Sequence, residues 1–218
     1  MYQKELIRNH QELAIKIYRI NKNNGFWDKE RNLGEMLMLV VSELGEAIEA
    51  HRKGRFANQN KFLKDFESAG MKPLLPNFGF KSSFEDNIKD TFEDEICDTL
   101  IRLYDMCGGL GINLEGFELY KSDYHFNYFW ENEKNVGACL MLVTAQLNNA
   151  ILGYYNLNSI QVNKVTNKAN KLIQKSLLAT MNMLYKFAEK FNIDIDWHMK
   201  QKLKYNATRK SIENMQGR

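Results

Sequence analysis

Proline is almost absent: Pro73 and Pro76 are the only two in 218 residues, and both fall in one short segment. A β-sandwich or barrel needs more turn punctuation than that, and no segment alternates convincingly with period two. The expected class is all-α. Cysteine is scarce as well. Cys97, Cys107 and Cys139 are too few and too scattered for a disulfide framework or a zinc site. Each lies among apolar neighbours on a predicted helix, which reads as a buried free thiol. No apolar run is longer than Met36 to Val41, far short of the roughly 20 residues that span a bilayer. The opening Met-Tyr-Gln-Lys-Glu-Leu lacks the basic and then apolar layout of a secretory signal. These absences lead us to expect a soluble, cytoplasmic protein with no membrane partner.

What is present begins with an uneven charge. Thirty basic and 27 acidic side chains leave a formal net charge of +3. Residues 1–155 hold 18 basic and 23 acidic groups, whereas residues 156–218 hold 12 and 4. A split of this kind needs a physical reason. Helical periodicity covers residues 2–22, about 34–53, about 84–107 and, more roughly, 131–155, 160–191 and 196–214. Residues 55–83, with both prolines, read as an irregular excursion containing a short helix.

The chain also repeats itself. Residues 24–48 (NGFWDKERNLGEMLMLVVSELGEAI) align without gaps on 127–151 (NYFWENEKNVGACLMLVTAQLNNAI), and 13 of the 25 positions are identical. A weaker echo at an offset of 81 pairs Leu103 and Tyr104 with Leu184 and Tyr185. This pattern predicts a helical bundle of two tandem, diverged copies, residues 1–123 and 124–218, packed together.

The copies differ in their acids. Glu43 is matched by Gln146, Glu46 by Asn149, Glu95 by Ser176 and Asp98 by Ala179. Glu43 and Glu46 lie three apart, on a stripe shared with Leu39, Ala47 and Ala50, where a carboxylate is costly to bury without compensation. Glu95 and Asp98 have the same spacing, beside Asp94 and Asp105, with Arg102 the only cation on that face. Two such turns on neighbouring helices could converge four carboxylates on one hard cation, Mg²⁺ or Mn²⁺. None of His10, His51, His125 or His198 follows a glutamate by three residues, so a di-iron bundle is disfavoured. In the basic third, Lys202, Asn206 and Arg209 form one helical stripe that suits a polyphosphate or ribose, while Lys204 points elsewhere. Trp27 and its counterpart Trp130 suit core packing, or in Trp27 (or Phe26) base stacking. Arg52 and Lys53 suit either phosphate or a helix C-terminus.

The runs LVVSELGEAIEAHRKG (39–54), FEDEICDTLIRLYDMCGGLGINLE (92–115) and KLKYNATR (202–209) resemble the MazG-like all-α nucleotide pyrophosphohydrolases, a superfamily that includes dimeric dUTPases and dCTP pyrophosphatases. Its ExxE, ExxD and Lys-x-x-x-Asn-x-x-Arg elements match Glu43/Glu46, Glu95/Asp98 and Lys202/Asn206/Arg209. The resemblance implies hydrolysis of a (deoxy)nucleoside triphosphate to monophosphate and pyrophosphate, with Mg²⁺ on the four carboxylates. It also implies Glu46 as the base-like residue, Lys202 and Arg209 on phosphoryl oxygens and Asn206 on phosphate or sugar. The duplication departs from the family pattern. A copy stripped of acids would serve as an internal partner, giving one composite site per chain, with a homodimer as the other arrangement. Lys121 is the first copy's counterpart of Lys202, but His125 and Tyr128 replace Asn206 and Arg209. Two competing readings are a nucleotide-binding module without turnover and, less favoured, a nucleic-acid binder using the basic third, for which no recognisable motif speaks.

Overall fold

The structure is a computed structural model that describes residues 9–29, 31–70, 76–114, 132–158 and 166–216. The described residues form eight helices and no strand. They are α1 (His10–Asn23), α2 (Leu33–Arg52), α3 (Gln59–Gly70), α4 (Pro76–Asn87), α5 (Phe92–Gly109), α6 (Val136–Asn158), α7 (Thr166–Lys190) and α8 (Ile195–Gln216). The all-α expectation holds. None of these helices is long and apolar enough to cross a membrane, and the three cysteines are free and buried.

Local chemistry accounts for the helix ends. Asn9 caps α1 by accepting from the Glu12 amide at 3.0 Å, and Asn32 caps α2 by accepting from the Gly34 amide at 2.7 Å. α1 stops in a Schellman motif: Phe26 N donates to Asn21 O and Gly25 N to Lys22 O. Gly25 has φ +81, a conformation an L side chain resists, and this turn throws Phe26 towards α5.

Two sequence expectations fail around the excursion. Residues 55–83 hold most of two helices, α3 and α4, and the helix expected over 84–107 is broken between Asn87 and Phe92. Asp90 there has φ +58, and Thr91 is extended and spends its hydroxyl on Ile88 O. The backbone reverses, so α4 and α5 are separate rods. The reason for α3 and α4 is a second, aromatic core. Phe62, Phe80, Phe84, Ile88 and Tyr205 form a buried cluster distinct from the main one. Phe84 stacks on Tyr205 at 4.6 Å between centroids, and Phe62 meets Trp197 edge-on at 5.5 Å. The excursion is therefore the cradle for α8.

The main core runs through α1, α2, α5, α6 and α7 and takes in Ile195 and Met199 from the start of α8. Burial follows the two offsets. Leu33, Leu37, Val40, Leu44 and Ala47 are buried on α2, as are Val136, Leu140, Val143, Leu147 and Ala150 on α6. Thr99 donates to Glu95 O and Thr180 to Ser176 O, and both threonines are wholly buried. α5 ends in a Schellman turn at Gly111 and α7 in the same turn at Asn192, both with positive φ. The Tyr104 and Tyr185 hydroxyls, a pair at the offset of 81, meet at 2.8 Å.

Candidate metal centre

α2 and α5 pack side by side, and their facing turns bring the acids together. Glu43, Glu95 and Asp98 each place a carboxylate oxygen within 4.8 Å of the other two. They open onto a cavity of about 490 Å³ that also has Glu46, Arg102, Lys202 and Asn206 on its wall. Glu46 is exposed at the rim, one turn beyond the buried Glu43. The four acids expected to converge therefore share one cavity, three as a tight cluster and one at the mouth.

Their environments differ. Glu43 accepts from Arg102 Nε at 3.0 Å. Burial, and then Asp98, still push its carboxyl above the ordinary range. Asp98 pairs with Lys202 Nζ at 2.7 Å. Glu95 is 4% exposed, and its carboxylate meets no hydrogen-bond donor among the described residues. Burial, followed by the charges of Asp98 and Asp94, pushes it up to about 8. Carboxylates that face one another across a cavity repel as anions, and a bound cation would relieve that repulsion. Three hard oxygen donors suit Mg²⁺ or Mn²⁺, so the residues present fit such an ion.

Lys202 lies on the cavity wall with its ammonium turned onto two acids of α5. It is 7% exposed, donating to Asp94 Oδ2 at 2.7 Å as well as pairing with Asp98. Burial would lower its ammonium, but Asp98 and Asp94 outweigh that and hold it above the usual lysine range. Asn206 lies on the cavity wall one turn along α8. The Arg209 side chain and all of Lys121, His125, Tyr128 and Trp130 lie outside the described residues. Lys204 is exposed yet holds its ammonium 4.0 Å from the Phe80 ring centroid.

Trp27 and Lys53, both candidates for substrate contact, are placed elsewhere. The Trp27 indole donates to Asp105 Oδ1 at 3.0 Å and packs where a Cβ on Gly109 would lie 2.1 Å from the ring. It is packing at the α1–α2 corner. Lys53 pairs with Glu49 on the surface at 2.8 Å, and so does Arg52. Two aromatic residues line the cavity, Phe26 and Tyr205, and the Phe26 ring carries Arg31 at 4.4 Å and Arg102 at 4.7 Å.

Asn21, Asn24 and Asp94 were not assigned a role from sequence. The first two line the cavity from the end of α1, which the Asn-Gly turn signal alone could not reveal. Asp94 stands four residues before Asp98, a spacing that puts both on one face of α5. No protein-family model matches the chain, and comparison with curated proteins and with solved structures finds no similar protein.

Proposed function

We propose that the chain is a divalent-metal-dependent nucleotide pyrophosphohydrolase of the MazG-like kind, cleaving a (deoxy)nucleoside triphosphate to its monophosphate and pyrophosphate. The observation that carries this reading is Glu95: a buried carboxylate with no donor among the described residues, converging with Glu43 and Asp98 on a cavity. At about 490 Å³ the cavity falls in the range that small-molecule ligands fill. Glu43, Glu95 and Asp98 would hold Mg²⁺ or Mn²⁺. Such an ion, when bound, supplies neutralisation of phosphate charge and acidifies a water. Glu46, exposed at the mouth, orients that water and takes its proton. Asn206, with Arg209 three residues beyond on α8, meets phosphate or sugar.

The same reading explains the charge split. The second copy keeps the buried apolar positions of α2 and α5 in α6 and α7 but carries Gln146, Asn149, Ser176 and Ala179 in place of the acids. It acts as an internal partner, and α8 brings its basic and amide groups to the first copy's carboxylates. One composite site per chain results.

The test is pyrophosphate release across a panel of canonical and modified NTPs and dNTPs with Mg²⁺. Activity on at least one substrate is expected, lost in Glu43→Gln, the side chain already present at Gln146. Glu46→Gln should keep Mn²⁺ affinity and lose on the order of 100-fold in kcat. Full activity in Glu43→Gln sinks the assignment. Nucleotide and metal binding with no product would mark a binding module instead.

A further inference from the structure

Lys202 lies deeper than a residue that greets a soluble substrate. Its ammonium is held at 2.7 Å by both Asp94 Oδ2 and Asp98 Oδ2, two acids one turn apart on α5. Asp94 is wholly buried, also accepts from the Asp90 amide at 3.2 Å, and leaves Oδ1 without a partner among the described residues. It is outside the Glu43–Glu95–Asp98 cluster. Asp98 thus belongs to two arrays at once: the three-carboxylate cluster on one side and the Asp94–Asp98 pair on the other. A carboxylate shared in this way is the bridging ligand of two-metal sites, whose ions lie roughly 3.5–4 Å apart. The Phe84 ring, 5.8 Å from Lys202 Nζ, closes the other side, and the Phe84–Tyr205 stack fixes the helix that delivers the lysine.

We infer that the Lys202 ammonium is a built-in cation standing where a second metal ion would bind, anchored by Asp94, so that the centre takes one divalent ion per chain. This rests on the metal reading proposed above. A tethered charge neutralises the inner pair without recruiting an ion from solution. Asp98 engages it through Oδ2.

The experiment counts Mn²⁺ bound per full-length chain by equilibrium dialysis, with free Mn²⁺ read by electron paramagnetic resonance. One ion is expected in the wild type and two in Lys202→Met, where the Asp94–Asp98 pair is left for metal. In the double variant Asp94→Asn/Lys202→Met the count should return to one, because half of the second site is gone. Should Lys202→Met fail to fold, Lys202→Gln takes its place, keeping a donor for Asp94 without the charge, with two ions again expected. Two ions in the wild type, or one in the folded lysine variant, overturn the inference and leave the metal centre standing. No bound Mn²⁺ in the wild type overturns both.

Discussion

Arg102 Nε donates to Glu43 Oε1 across 3.0 Å, and this single bond joins α5 to the acidic turn of α2. It also divides the three clustered acids. Glu43 pairs with a guanidinium and Asp98 with an ammonium, while Glu95 pairs with no cation among the described residues and feels Lys202 only at longer range. The least compensated member of the cluster is the one whose removal should be felt as relief.

Glu95→Gln is therefore expected to stabilise the metal-free protein and to abolish Mn²⁺ binding. A relief of about 1 kcal/mol, allowing for solvent screening, corresponds to a rise of roughly 2–4 °C in Tm for a chain of this size. Thermal melts at pH 8 with EDTA, then with Mn²⁺, provide the check. The wild type should gain Tm on adding metal and the variant should not. A variant less stable than the wild type without metal would contradict the argument.

Acidity should act in two opposed windows. Glu95 is raised from 4.5 to about 8 in the folded chain, so its contribution is full below its unfolded value and is lost as pH rises through 8. Glu43, raised chiefly by burial, acts with the same sign. His198 is lowered from 6.5 to about 4 by burial, so its contribution is present above 6.5 and is lost as pH falls through 4. Metal-free stability should thus peak in weakly acidic solution and decline towards pH 9. Added Mn²⁺ should reverse the alkaline decline, since it replaces the protons on the acids. Tm against pH, with EDTA and with Mn²⁺, measures both limbs.

The aromatic cradle should matter more than its surface ornament. Phe84 is fully buried between Phe80 and Tyr205, and Phe84→Ala is expected to cost about 3–5 kcal/mol by leaving a cavity under α8. Lys204→Ala, which removes an exposed ammonium from the face of Phe80, should cost under about 1 kcal/mol. Urea melts of the two variants test the contrast. Equal effects would mean that α8 is not held by this cluster.

Much of this was legible along the chain. The near absence of proline and of period-two segments settled the class, because helices need neither. The repeat of 24–48 at 127–151 anticipated which positions of α2 and α6 are buried in common. The Glu43/Glu46 and Glu95/Asp98 spacings put these acids on faces that meet at one cavity, since a helix converts a separation of three into neighbouring positions. What failed were readings that depend on contacts remote in sequence. The excursion looked irregular because Phe62, Phe80 and Phe84 acquire a reason to order only when Tyr205 and Trp197 arrive from the far end of the chain.

Sequence by itself determined an all-helical chain, its acidic and basic ends and the four carboxylates that have no acid at the offset positions, because periodicity and composition are local properties. Tertiary structure alone decided which of those charges meet. It left Glu95 with no ion pair among the described residues, Glu46 at the rim and Trp27 in the packing, and it buried Lys202 between Asp94 and Asp98. Compensation of a buried charge depends on distances of a few ångströms between helices, and those distances are set when the helices pack.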